Sequence, residues 1–308
     1  MRRFIRRPGA VTFAVAAIAG LAACGSGSSG GSATSSSAVG ASPSASSSVD
    51  ASLAAMLPDA IKSKGVLTIG TDSTYAPSEF LDADGKTVKG FDVDLFNAVA
   101  AKLGLKTQWV SAPFDNIIPG VVEAGKYDIG VSSFTINPDR LKQADMVSYF
   151  SAGTQWAVPS GNPAKLTVDD ACGKKVAVQK GTVQADDVAA RSKKCTGAGK
   201  SAITIDIYQG QDMATAAVVS GKDDAMLADS PVIAYAVKQT SGKLELLGDI
   251  YDSAPYGYVV KKGQGQFSQA LVGALKAVQT DGSYQKALDA WGVAQGAVTT
   301  FAVNPSVG

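Results

Sequence analysis

Strand-like runs and helical patterns alternate along the chain from residue 66 onward, and this alternation limits the folds available to it. Short runs of β-branched and aliphatic residues are separated by segments with apolar residues at helical spacing. The predicted strands are 66–70, 108–110, 128–131, 176–178, 203–208 and 225–229. The predicted helices are 92–103, 113–124, a short one from 138, 182–191, 213–219, 230–238, 267–279 and 283–291. The alternation predicts an α/β protein with parallel strands joined by crossover helices, in two halves.

One predicted helix, 113–124, has sequence signals at both ends. Pro113 suits a first helical position and Gly125 can form the C-terminal cap. Its apolar residues fall on one face, which predicts that the helix packs on a core. These residues are Phe114, Ile117, Ile118, Val121 and Val122.

The N-terminus has the pattern of an export signal. Four arginines within residues 1–7 precede an apolar run at 10–21. This run is shorter than the roughly 20 residues that a membrane-spanning helix needs. The sequence then reads Leu21-Ala22-Ala23-Cys24, which resembles the bacterial lipobox. We therefore expect residues 1–23 to be a lipoprotein signal peptide and Cys24 to receive lipid. An ordinary secretory signal with an incidental cysteine is the alternative.

Residues 24–52 are almost entirely Ser, Gly and Ala, and we expect them to form a disordered tether. Such a composition buries too little apolar surface to offset the entropy of ordering. A coil of this length has a root-mean-square span of about 30 Å. The sequence thus predicts an exported domain held at the outer face of the cell membrane through Cys24 alone.

Composition excludes several classes of function. The 308-residue chain contains no histidine, which rules out a Ser-His-Asp triad, a Cys-His pair and histidine-ligated metals. It also lacks the Cys-x-x-Cys and Walker patterns. Net charge is +1, and removing the leader arginines makes the remainder slightly acidic, so we expect no nucleic-acid partner. No cofactor or metal is expected.

Two cysteines remain after Cys24, namely Cys172 and Cys195. In an exported protein an even pair favours a disulfide, which would stabilise the fold by roughly 3 kcal/mol through its loop of about 24 residues. Two buried free thiols are the alternative.

Two segments carry a resemblance to a known family. They are Gly90-Phe91-Asp92-Val93-Asp94-Leu95 and Ser132-Ser133-Phe134-Thr135-Ile136-Asn137-Pro138-Asp139-Arg140. Together they resemble the signatures of the bacterial extracellular solute-binding proteins, family 3, which serve polar amino acid ABC transporters. The resemblance covers about residues 60–295, although Asn137 stands where Thr is usual.

The resemblance implies a two-lobed periplasmic-binding-protein fold of type II, with the ligand cleft between the lobes. Two hinge strands, 153–158 and 256–261, would connect the lobes. Residues 53–152 plus 257–308 would then form lobe 1, and residues 153–256 would form lobe 2.

Arg140 and Asp229 are the strongest candidates for ligand binding. A guanidinium meets a carboxylate through two parallel bonds, and the resemblance implies that Arg140 does so with help from Ser132, Ser133 and Thr135. Asp229, at the end of a predicted strand, would bind the α-ammonium. The alternatives are a surface salt bridge of Arg140 with Asp139 or Asp145, and a helix-capping role for Asp229.

The resemblance also implies ligand-binding roles for the other candidates, which follow predicted strands or line predicted helices. Asp72 and Tyr75 would contact the ligand side chain, or Asp72 could simply form an Asx turn. Phe114 would face Tyr75, although core packing is its default interpretation. In the loop 179–184, Gln179, Thr182 and Gln184 would face the ligand, or Thr182 could only cap a helix. The Gly90–Asp94 segment is interpreted as structural, with acids at a helix N-terminus.

The sequence therefore predicts a lipid-anchored, monomeric receptor that delivers an L-amino acid to an ABC permease and is not an enzyme. With Arg140 and Asp229 assigned to the zwitterion, Asp72 beside Gln179 and Gln184 favours a polar or basic side chain: glutamine, histidine, arginine or lysine. An enzyme similar to cyclohexadienyl dehydratase and the ligand-binding part of a sensory system are the alternatives.

Overall fold

The computed structural model describes residues 48–307. The signal peptide, Cys24 and most of the tether lie outside these residues. The strands are β1 (Val66–Thr71), β2 (Thr74–Tyr75), β3 (Glu79–Leu81), β4 (Val88–Lys89), β5 (Lys106–Ser111), β6 (Ile129–Gly130), β7 (Asp145–Pro159), β8 (Lys175–Gln179), β9 (Thr204–Tyr208), β10 (Ala225–Asp229) and β11 (Leu244–Val260). The helices are α1 (Ala51–Ala55), α2 (Asp59–Lys64), α3 (Phe91–Lys102), α4 (Ile117–Val122), α5 (Pro138–Gln143), α6 (Val183–Gly197), α7 (Gln211–Val219), α8 (Ser230–Gln239), α9 (Phe267–Thr280) and α10 (Ser283–Trp291).

Eight strands form one sheet in the order β5-β1-β6-β11-β7-β10-β8-β9. On one wing β1 pairs in parallel with β5 and β6, and on the other β8 pairs in parallel with β9 and β10. The long strands β7 and β11 run antiparallel to each other between the wings. The predicted parallel strands in two halves are thus present. The wing with β1 is called the first lobe and the wing with β8 the second lobe.

Each wing has its own apolar core. In the first lobe α3, α9 and α10 cover the sheet, and fully buried Phe91, Phe96 and Phe267 belong to one cluster. In the second lobe Val176, Val178 and Leu227 pack with residues of α6. Two further buried clusters complete the lobes, one around Ile117 and Phe134 and one around Met226 and Ile233. The lobes are therefore each stabilised by apolar burial.

The two predicted hinge segments lie within or at the end of β7 and β11. These strands contain 15 and 17 residues, so each continues well into both wings. The lobe boundaries predicted at residues 152/153 and 256/257 fall inside them and stay a prediction.

The fold begins earlier than the expected end of the tether at residue 52. Asp50 caps α1, because its carboxylate accepts hydrogen bonds from the Ser52 and Leu53 backbone N–H groups. The Asp50 N–H also donates to the Lys102 carbonyl, at 2.8 Å. These contacts attach residues 50–52 to α3, so they are part of the folded domain.

The helix predicted over 113–124 is instead a short 3₁₀ turn, Phe114–Asn116, followed by α4. Pro119 explains the break, since it has no N–H to donate to the carbonyl four residues before it and is tolerated only in a first helical turn. Helix α4 ends at Val122, so Gly125, at φ +60°, lies beyond the cap instead of forming it.

Cys172 and Cys195 form a disulfide, as predicted. Helix α6 continues six residues past its predicted end at 191, which brings Cys195 into the helix. The bridge therefore fastens α6 to the segment that precedes β8. Within residues 48–307, no helix is long and apolar enough to cross a membrane, and no group of His, Cys, Asp or Glu side chains could hold a metal ion.

Candidate amino-acid-binding site

A narrow pocket with about 230 Å³ of empty space lies between the two lobes. It is formed where the loops after β1, β6 and β8 and the end of β10 approach one another, as expected for the carboxyl ends of strands. Nine of the eleven predicted ligand-binding residues line it: Tyr75, Phe114, Ser133, Thr135, Arg140, Gln179, Thr182, Gln184 and Asp229. Val183, which sequence reasoning missed, lines it too. Asp72 and Ser132 lie behind the lining.

Arg140 is buried at the pocket with only carbonyl partners. Its Nη1 donates to the Thr135 carbonyl at 2.7 Å and its Nη2 to the Gly181 carbonyl at 3.1 Å. The guanidinium lies over the rings of Phe114 and Phe134, at 5.4 and 5.5 Å from their centroids. Burial lowers the pKa of Arg140 to about 10, which leaves it charged at neutral pH. A buried cation without a carboxylate partner favours binding of an anion.

The alternative for Arg140, a surface salt bridge, is wrong. Asp139 pairs with Lys142 at 2.7 Å, and Asp145 accepts a hydrogen bond from Asn304 at 2.9 Å. Helix α5 directs Arg140 inward because Asn137 caps it, accepting the Arg140 N–H at 2.9 Å. The asparagine that departs from the family pattern thus fulfils the capping role.

Asp229 is buried on the opposite wall. Its carboxylate accepts hydrogen bonds from the Tyr75 hydroxyl at 2.9 Å and the Gln184 amide at 2.8 Å. It occupies the N-cap position of α8, yet its side chain makes no capping bond. Burial raises the pKa of Asp229, while these donors and the charge of Arg140 oppose the rise. Among the described residues, no cationic side chain forms a salt bridge with Asp229.

Asp72 forms a buried junction behind the pocket. One carboxylate oxygen accepts the Thr74 N–H at 3.0 Å, the expected Asx turn. The other accepts from the Phe114 N–H at 3.0 Å and the Gln179 side-chain amide at 2.9 Å. Burial raises the pKa of Asp72. By accepting these two bonds, Asp72 fixes the positions of Phe114 and Gln179, which both line the pocket.

The loop that follows β6 contains Ser132 and Ser133. Ser132 Oγ accepts the Asp72 N–H at 2.9 Å and donates to Glu79 at 2.9 Å. Ser133 has a left-handed backbone with φ +48°, and its N–H donates to Asp92 at 2.9 Å. The sequence analysis interpreted the Gly90–Asp94 segment as structural but did not predict the bond between Ser133 and Asp92. This bond links α3 to the loop that lines the pocket.

Aromatic rings and a helix cap complete the walls. Phe114 stacks on Phe134 with centroids 4.6 Å apart, so it both packs in the core and lines the pocket. Thr182 caps α6, since its Oγ accepts the Ala185 N–H at 3.2 Å, and it also lines the pocket. For both residues the structural and the pocket-lining interpretations hold together.

Several polar contacts cross the cleft from the first lobe to the second. Besides Arg140 with Gly181, Tyr75 with Asp229 and Asp72 with Gln179, Asp115 forms a salt bridge with Lys180 at 2.8 Å. Asp115 also accepts from Gln209 at 3.0 Å. The two lobes are therefore in contact around the pocket, in a closed arrangement.

The chain belongs to the bacterial extracellular solute-binding proteins, family 3, whose family description matches residues 67–294. It is similar to the arginine-binding protein ArgT of Corynebacterium glutamicum, with 37% identity over 82% of each protein. It is also similar to the lysine/arginine/ornithine-binding periplasmic protein of Escherichia coli, with 30% identity over 78% of this chain and 90% of that protein.

Solved structures confirm the predicted two-lobed type II fold. An ancestral arginine-binding protein bound to arginine matches with a TM-score of 0.68 and 34% identity, over 74% of this chain and 98% of that one. An ancestral amino acid-binding protein, a precursor of cyclohexadienyl dehydratase, matches with a TM-score of 0.68 and 34% identity, over 76% and 98% of the two chains.

Proposed function

We propose that this protein captures an L-amino acid with a basic side chain, arginine foremost, and delivers it to an ABC importer. The observation that carries the proposal is the placement of buried Arg140 and Asp229 on facing walls of one pocket, each without a partner of opposite charge in bonding contact. An amino acid zwitterion supplies both missing charges. Relatives named for binding arginine support the basic side chain.

The α-carboxylate would meet the Arg140 guanidinium, beside the donors of Ser133, Thr135 and Thr182. Charge-assisted bonds to a planar guanidinium are short and directional, and its two parallel N–H groups match the geometry of a carboxylate. The α-ammonium would meet Asp229 and compete there with the neutral donors of Tyr75 and Gln184.

The ligand side chain would lie between the rings of Tyr75 and Phe114. Its polar end would point toward Gln179, whose amide Asp72 holds at 2.9 Å. A guanidinium can stack on aromatic rings and donate to an amide oxygen, and the Gln179 Oε1 atom is buried with no donor among the described residues. This buried acceptor supports a side chain that donates hydrogen bonds.

Hinge closure would couple ligand binding to delivery. The ligand carboxylate would join Arg140 of the first lobe to the N-terminus of α6 in the second, and the ammonium would be bound to Asp229 of the second lobe. A ligand that contacts both lobes favours the closed form over the open one. The permease would then recognise closed, loaded protein.

We extend the proposal to the N-terminus. Export, lipid attachment at Cys24 and a passive tether would keep the monomeric domain at the outer face of the membrane, within reach of its permease. The motif Leu21-Ala22-Ala23-Cys24 supports lipid attachment. Mass spectrometry of the membrane-extracted protein tests this, because an unmodified chain beginning elsewhere than Cys24 would contradict it.

Family members named as binding proteins support a receptor over an enzyme. The chain is also similar to a precursor of cyclohexadienyl dehydratase, and this similarity supports a second candidate function, an activity like that of cyclohexadienyl dehydratase. Turnover of arogenate or prephenate by purified protein would favour that candidate. A sensory role would instead be supported by a neighbouring sensor gene and no permease gene.

Isothermal titration of refolded protein with L-arginine and with agmatine, its decarboxylated analogue, tests the assignment of the carboxylate. Agmatine keeps the guanidinium end and lacks only the group that Arg140 would bind. We expect L-arginine to bind and agmatine to bind at least about 30-fold more weakly. Equal affinity would contradict the role of Arg140.

A further inference from the structure

Two carboxyl groups, those of Glu79 and Asp92, meet beneath the pocket loop, and neither lines the pocket. Glu79 lies in β3 and Asp92 in the first turn of α3, and both residues are fully buried. The two carboxyl groups interact electrostatically. The backbone fixes this meeting, because the Asp92 N–H donates to the Ser78 carbonyl at 3.1 Å, directly before Glu79.

The hydrogen bonds of the two groups leave one oxygen of each carboxyl group without a donor. Glu79 Oε1 accepts from Ser132 Oγ at 2.9 Å. Asp92 Oδ2 accepts from the Ser133 N–H at 2.9 Å and the Tyr149 hydroxyl at 2.7 Å. The remaining oxygens, Glu79 Oε2 and Asp92 Oδ1, are buried and have no donor among residues 48–307. A proton shared by the two groups would give both of these oxygens a hydrogen bond, because two carboxylate oxygens bond each other only if one of them carries a proton.

We infer that Glu79 and Asp92 share one proton, and that this singly charged pair positions Ser132 and Ser133 for the ligand. Ser133 has φ +48°, a conformation that costs free energy for a residue other than glycine. Asp92 offsets that cost by accepting both the N–H and the hydroxyl of Ser133, the latter at 3.2 Å. Glu79 orients the adjacent Ser132 in the same way.

The surroundings of the pair favour retention of the proton. The titratable groups that face it are Asp72, Tyr75, Tyr149 and Tyr258, and none of these is a cation. Burial, and next the charge of Asp92, raise the pKa of Glu79 well above its ordinary value of 4.5. Burial also raises the pKa of Asp92.

The sign of the pH dependence follows from these raised pKa values. The pair stabilises the Ser132-Ser133 loop fully when the pH is below the ordinary pKa of a glutamic acid. This stabilisation is lost as the pH rises through the raised pKa that Glu79 has in the folded protein. Above it, two buried negative charges repel each other and the loop loses its support. Ligand affinity should therefore fall at alkaline pH.

The test is a pH series of L-arginine affinity for wild type, Glu79→Gln and Glu123→Gln, using protein that lacks residues 1–24. A glutamine at position 79 donates an N–H to Asp92 and accepts from Ser132, so it reproduces the protonated pair at every pH. Glu123 is exposed at the end of α4, and its variant is the matched control. Titration of the ligand's α-ammonium affects all three proteins equally.

From about pH 6 to about pH 10 we expect the dissociation constant to rise at least about threefold more for wild type and Glu123→Gln than for Glu79→Gln. At the lower pH, Glu79→Gln should match wild type within about threefold. Parallel pH profiles for all three proteins would overturn the role of the pair in positioning the loop.

A second measurement needs no ligand and so separates this inference from the proposed function on which its affinity test rests. Infrared spectroscopy at about pH 7 detects the C=O stretch of a protonated carboxyl group. We expect a band that Glu123→Gln keeps and that both Glu79→Gln and Asp92→Asn lose. A band absent from wild type, or unchanged in both variants, would overturn the shared proton. If arginine does not bind wild type at any pH, the proposed function fails, and the infrared band still decides the shared proton.

Discussion

At the scale of single residues, Arg140 is the one cationic side chain among the described residues that line the pocket. Its guanidinium is buried against two aromatic rings and bonded only to carbonyl oxygens, so desolvation of the charge is incompletely offset in the protein alone. Asp229 is the opposite charge on the facing wall. A ligand with both charges would relieve both costs at once, which is the physical basis for our proposal that the pocket selects zwitterions.

Replacing Arg140 with Ala should weaken L-arginine binding at least about 30-fold, equivalent to about 2 kcal/mol, because the ligand carboxylate would be buried without a cation. Isothermal titration measures this directly. Lys142→Ala removes an exposed cation from the same helix and is the matched control, with an expected change below about twofold. A near-normal affinity for Arg140→Ala would contradict the site.

The order of residues along the chain, together with the family resemblance, predicted most of the pocket lining. Arg140, Asp229, Gln179 and Thr182 follow predicted strands, and the carboxyl ends of parallel strands meet at one edge. The position of Asp72 behind the lining could not be predicted, because it depends on which side-chain and backbone donors the second lobe and the Phe114 turn bring to its carboxylate.

At the scale of elements, the β2–β3 turn packs against the N-terminus of α3, and Gly90 makes this possible. Gly90 has φ +138°, and a Cβ atom there would lie 2.1 Å from the Ser78 carbonyl oxygen. The Phe91 and Asp92 N–H groups donate to the Pro77 and Ser78 carbonyls. The sequence segment that marks the family therefore brings Glu79 to Asp92, which spacing alone did not reveal.

Gly90→Ala should lower the free energy of unfolding by at least about 2 kcal/mol, because its Cβ would displace the Ser78 backbone and its φ is unfavourable. Gly197→Ala is the control: that glycine ends α6, a Cβ added to it would have no atom within 4 Å, and we expect a change below about 1 kcal/mol. Chemical denaturation measures both. Equal stability of the two variants would show that the close approach at Gly90 is not required.

Helix ends were less predictable than helix positions. Apolar spacing indicated a helix at 113–124, but Pro119 divides it into a 3₁₀ turn and α4, and this turn places Phe114 at the pocket. Helix α6 extends past its predicted end because the Cys172–Cys195 disulfide and burial of Cys195 stabilise its last turns. The first difference comes from a proline that is visible in the sequence, whereas tertiary contacts, absent from local patterns, decided the second.

At the scale of the whole molecule, the pocket exists only because both lobes contribute to it. Arg140 and Phe114 come from the first lobe, whereas Asp229 and Gln184 come from the second, and β7 and β11 connect the two. Contacts that cross the cleft, such as the Asp115–Lys180 salt bridge, can form only when the lobes meet. Ligand binding and lobe closure should therefore be one thermodynamic event, with the amino acid stabilising the whole domain.

The most direct test is a thermal-shift screen of refolded protein lacking residues 1–24 against the twenty amino acids. A ligand at a thousandfold excess over its dissociation constant adds about 4 kcal/mol to the stability, which raises the Tm by roughly 10 °C in a domain of this size. We predict the largest shift with L-arginine, a smaller one with lysine, and none with acidic residues. A flat panel from protein that is demonstrably folded would contradict the assignment of this protein as an amino acid receptor.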